Sequence, residues 1–175
     1  MTSRADQHDI DKLGRWHRDL TEPSSDGFPV FGVFLVSDAD GMAHDTFRAF
    51  RSSFQQRAAG FGNLIILGQH GVSSPVRALL SRLGLPPDSI PLLLLFTSAG
   101  GPSVYLLPLP AGRGSGPKID RLPDTAQELL SRVEKFADRA DESFDTSGMT
   151  DLLEMPLPAA DLLTLVSELL AASGG

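Results

Sequence analysis

Two periodicities alternate along this chain. Continuous apolar runs fall at residues 28–36 (Val30, Phe31, Val33, Phe34, Leu35, Val36), 63–67 (Leu64, Ile65, Ile66, Leu67) and 91–96 (Pro91, Leu92, Leu93, Leu94, Leu95, Phe96). Runs of this length without polar alternation predict strands covered on both faces, as in α/β proteins. Between them the spacing turns helical. Residues 42–58 put Phe47, Phe50 and Phe54 on one stripe and Arg48, Arg51 and Arg57 off it. Residues 75–83 carry Val76, Leu79, Leu80 and Leu83 at i, i+3, i+4 and i+7, with Ser74 as N-cap, Pro75 at the first helical position and Gly84 as the stop. A fourth strand, residues 103–107, follows the turn formers of 98–102, and Pro108 and Pro110 suit it to a sheet edge. A helix over 124–140 turns Leu129, Leu130, Val133, Phe136 and Ala140 inward. Two outer helices complete the pattern. One covers residues 7–20 (Ile10, Leu13, Trp16 or His17, Leu20), weakened by Gly14; the other covers 158–172 (Leu162, Leu163, Leu165, Val166, Leu169, Leu170).

This order predicts an α/β chain in four parts. They are an N-terminal helix and connector (1–27), a mixed-sheet domain with βαβαββα order (28–140), an acidic linker (141–157) and a C-terminal amphipathic helix (158–175). With 175 residues and 41% hydrophobic content, one core of useful size is available. No internal repeat or low-complexity tract is present.

Charge and cysteine content narrow the function. The net charge of −7, from 22 acidic and 15 basic residues, disfavours nucleic acid and anionic membranes as partners. The absence of cysteine excludes disulfides, iron–sulfur clusters, thiolate zinc sites and thiol chemistry. The first residues, polar and acidic, show no signal peptide, and the leucine runs are too short to span a bilayer. A soluble cytoplasmic protein without a cofactor is the expectation.

The order strand, helix, strand, helix, Ile90-Pro91-strand, strand, helix over residues 28–140 resembles the thioredoxin-like superfamily, and Ile90-Pro91 falls where that family carries its cis-proline. In redox-active members a Cys-x-x-Cys motif follows the first long strand; the matching stretch here is Asp40-Gly41-Met42-Ala43, and Phe34 stands near the place of the family's buried acid. The resemblance therefore implies the scaffold without its redox chemistry. Cysteine-free members serve as interaction modules, including chaperone-like subunits. It also implies a contact rim built from residues 37–43, the Ile90-Pro91 turn and residues 69–72, where the backbone beside the proline pairs with extended polypeptide. Asp40, Gly41, Met42, Ala43, His70, Ile90 and Pro91 are the candidate contact residues there, with another protein as the partner.

Three further features have two readings each. Asp38, Asp40, His44 and His70 fall at strand ends on the carboxyl side of the sheet, where open α/β folds bind ligands. Two carboxylates and two imidazoles suit a divalent metal or acid–base hydrolysis; the alternative is capping aspartates and solvated histidines. The C-terminal helix has apolar residues on more than one face. It either docks on its own domain or offers Leu162, Val166 and Leu169 to a partner's groove or to a second copy of the chain. Arg48, Arg51 and Arg57 read as a solvated helix face or as a match to a partner's acidic patch, and Trp16 reads as core. The glycine-rich stretch 112–118 departs from phosphate-loop spacing and reads as a linker.

Overall fold

A computed structural model describes residues 4–21, 30–37, 41–57, 63–96, 103–109, 124–138, 144 and 146–173. The elements are α1 (Arg4–Thr21), β1 (Phe31–Leu35), α2 (Gly41–Gln56), β2 (Leu64–Leu67), α3 (Ser74–Arg82), β3 (Leu92–Phe96), β4 (Val104–Pro108), α4 (Asp124–Asp138), β5 (Leu153–Met155) and α5 (Ala159–Ser173). A short 3-10 turn, Pro87–Ser89, leads into a cis Ile90–Pro91 bond and β3.

Among the described residues, five strands form one mixed sheet in the order β2-β1-β3-β4-β5. β1 and β2 run parallel, with Val33 opposite Ile65; β3 is antiparallel to β1, β4 to β3 and β5 to β4. Period-two alternation sends neighbouring residues of each strand to opposite faces. Val33, Leu35, Ile65, Leu67, Leu92, Leu94 and Phe96 join one core, closed by Leu13 and Trp16 of α1, Val76, Leu79 and Leu80 of α3, and Leu162 and Val166 of α5. Phe34, Leu64, Ile66, Leu93 and Leu95 join the other, closed by Phe47, Phe50 and Phe54 of α2 and Leu129 and Val133 of α4. Both faces are therefore dry, which is why the strand sequences show no polar alternation. Each fully buried Leu or Phe contributes about 1.5–3 kcal/mol, and the loss of chain entropy offsets most of the sum.

Three details depart from the sequence reading, and a fourth decides between two readings it left open. The segment 141–157, expected as a linker, contains β5, whose Leu153, Glu154 and Met155 pair with Leu106, Tyr105 and Val104. β4 is therefore not the edge strand. Pro108 is still tolerated, because Leu109 N–H donates to Pro91 O and so turns the Pro108 nitrogen away from β3, past the reach of β5. The N-cap of α3 is Ser73, whose Oγ accepts from Val76 N–H, one residue before the expected cap. Ser74 instead donates through N–H and Oγ to the Asp6 carboxylate, which ties α3 to α1. Finally, α5 lies on its own domain with Leu162 and Val166 each 1% exposed. Its apolar spread over more than one face serves two contacts at once, against α1 and against α3. Leu162 and Val166 are thus used inside the chain and not offered to a partner, and Leu169 packs partly buried against the same core.

Among the described residues, no helix is long and apolar enough to cross a membrane.

Candidate functional site at the edge of the sheet

Among the described residues β2 ends the sheet, and its outer edge defines the site. In a parallel ladder alternate residues turn both backbone polar groups to the same neighbour. Val36 N–H donates to Leu67 O at 3.0 Å, so Leu67 and Ile65 face β1. Leu64 and Ile66 consequently turn their N–H and C=O outward. α1 lies beyond one face of the sheet and α2 beyond the other. Between them a cleft of about 330 Å³ runs along this edge.

The floor of the cleft is apolar: Leu64, Ile65 and Ile66 of β2, with Phe47 and Trp16 from the flanking helices. Its walls are basic. Lys12 and Arg15 come from α1, His44, Arg48 and Arg51 from α2, and Gln69 closes one end. Four of the chain's 15 Lys and Arg residues meet here, in a protein of net charge −7. Among the described residues, no acidic side chain lines the cleft. Asp45 pairs with Arg48 at 2.7 Å on the outer side, with both side chains more than half exposed.

Two side chains tie the edge to α1. Lys12 Nζ donates to Ile66 O at 3.1 Å and to Gln69 Oε1 at 3.4 Å. Burial pushes the Lys12 ammonium below its usual range; Asp9 pulls it back up, and Arg15 and Arg51 push it down again. Asp9, buried, accepts from Gly68 N–H at 2.8 Å and satisfies the next outward backbone group of the strand. An edge covered by a lysine is a common protection against unwanted strand pairing.

Trp16 is 1% exposed, and its indole N–H has no hydrogen-bond partner among the described residues. A buried donor left unpaired costs about 1–3 kcal/mol. Its ring stacks edge-on against Phe96 with centroids 5.7 Å apart, so the core reading of Trp16 holds for the ring while the N–H stays unsatisfied.

The residues singled out from the sequence are dispersed. His44 Nε2 contacts Ser37 O at 3.0 Å and lines the cleft. His70 instead packs edge-on against His8, centroids 5.1 Å apart. The His8 imidazole is held below its ordinary 6.5 by burial, then by Lys12 and His70. Asp38 and Asp40 lie outside the described residues. Among those described, no three His, Asp or Glu side chains group as a metal site. On the rim, Gly41 and Met42 open α2 half-buried, Ala43 is buried in the α2 core, and Pro91 is buried with its carbonyl accepting from Leu109 N–H at 2.9 Å. Ile90 is half-buried. Of the three arginines noted over 42–58, Arg57, just past α2, is held by Glu134 and Asp138 of α4, whereas Arg48 and Arg51 of α2 reach the cleft. Sequence reasoning saw these two arginines and missed Lys12 and Arg15, because the signal lies in the packing of α1 beside α2 and not in any local motif. The glycine-rich stretch 112–118 lies outside the described residues.

Comparison with protein-family models, with curated proteins and with solved structures finds no match.

Proposed function

We propose that this chain is a redox-inactive thioredoxin-like protein that works as a protein-binding or assembly module and takes its partner at the β2 edge. The strand order β2-β1-β3-β4, one parallel and two antiparallel pairings, supports the family reading. So does the placing of α2 and α4 on one face with α1 and α3 on the other. The lack of cysteine removes dithiol exchange from what such a scaffold can do. The observation that carries the binding role is the β2 edge, with outward backbone groups at Leu64 and Ile66 over an apolar floor and no strand beyond them among the described residues. Sheet edges of this kind take extended polypeptide, with main-chain hydrogen bonds for affinity and flanking side chains for selectivity.

The test is site-specific photo-crosslinking of the full-length chain in its native host. A crosslinker at Gln69, at the end of the cleft, is expected to trap one specific protein that a crosslinker at the exposed Ser81 of α3 does not. The same adducts from both positions, or none from Gln69, would overturn the reading.

A further inference from the structure

The β2 cleft also carries information about the chemistry of its occupant. Lys12, Arg15, Arg48 and Arg51 surround it in a chain whose net charge is −7, so its potential opposes that of the molecule as a whole. Narrow clefts with low-dielectric walls focus such a field and favour the opposite charge. The floor is apolar, so a bare hydrophilic anion would leave Leu64, Ile66 and Phe47 unmatched. Trp16, the only tryptophan, lines the same cleft. Ile66 O is already bonded to a side chain, that of Lys12, whose Nζ stands where the N–H of an added strand would donate.

We propose that the cleft binds an extended, acidic segment of another polypeptide, with alternate carboxylates and apolar side chains. Its carboxylates meet the arginines and Lys12, and its apolar side chains cover Phe47 and Leu64. Lys12 swings from the Ile66 carbonyl to the incoming carboxylate, which opens the edge only to a segment that brings a negative charge. This assignment rests on the reading of the chain as a protein-binding module and names the class of its partner.

Trp16 is the only tryptophan, so its fluorescence reports the cleft directly. The full-length protein is titrated with a synthetic peptide alternating Glu and Val, with the same peptide carrying Lys for Glu, and with free glutarate. A saturable change in Trp16 emission is expected for the acidic peptide only. The affinity should fall about tenfold or more on raising salt from about 50 mM to about 500 mM, since the pairing is partly exposed. The double variant Arg15→Glu, Arg48→Glu alters two exposed side chains. It should keep the unfolding midpoint of the parent and bind the acidic peptide at least about tenfold more weakly. An equal response to the lysine peptide, an equal response to glutarate, or unchanged binding in the double variant would overturn the proposal. If the Gln69 crosslink to a host protein forms while the acidic peptide fails, the ligand class is wrong and the module reading stands. If the crosslink also fails, the module reading falls with it.

Discussion

Gly68 shows how one residue shapes the site. It ends β2 at φ +91°, and a Cβ there would overlap the Val36 carbonyl oxygen. The left-handed backbone aims its N–H at the buried Asp9 carboxylate, which fixes α1 against the strand end and so sets one wall of the cleft. Gly68→Ala should therefore lower unfolding stability by about 2–4 kcal/mol, combining backbone strain with a steric overlap that neither strand can relieve. Urea denaturation checks this, and a loss below about 0.5 kcal/mol would mean that the turn is not held as described. In the sequence Gly68 is only the glycine that follows the apolar run 63–67. Asp9 carried no signal, because its partner lies 59 positions along the chain.

At the scale of elements, α5 separates buried contacts from exposed ones. Leu162 is buried against α1, α3 and the sheet, whereas Glu168 of the same helix pairs with Arg82 of α3 at 2.7 Å with both side chains about half exposed. Truncating a buried leucine removes transfer energy and leaves a cavity, whereas a solvated ion pair is screened. Leu162→Ala should cost about 3 kcal/mol and Arg82→Ala under about 1 kcal/mol, read from the shift in urea midpoint at constant slope. Near-equal effects would show that α5 is not seated on its own domain. The apolar residues of α5 were plain in the sequence, but their covering was not, since the stripe extends over more than one face and suits either an internal or an external partner. β5 was invisible for a related reason. Leu153 and Glu154 are exposed, so no alternation marks the strand; the edge of β4 makes it one.

For the whole molecule, one sheet separates two cores, and a unique chromophore reports each. Trp16 belongs to the core under α1, α3 and α5, while Tyr105, the only tyrosine, packs with Phe144 on the side of α2 and α4. Both cores use successive residues of the same strands, so neither can dissolve without exposing the backs of the other. Thermal unfolding followed by Trp16 fluorescence and by Tyr105 absorbance should therefore give one midpoint; two separated midpoints would show that the faces unfold independently. The sequence by itself determined the α/β class, the first four strands, the helices between them and the exclusion of thiol chemistry. These follow from local periodicity and from residue type, which need no partner to be read. Only the tertiary structure decided that β2 ends the sheet, that β5 extends it, that α5 closes a core, and that Lys12 and Arg15 meet Arg48 and Arg51 across an open edge. Each of those pairs elements distant along the chain, and it is packing of apolar faces, with no directional signal of its own in the sequence, that selects which of them touch.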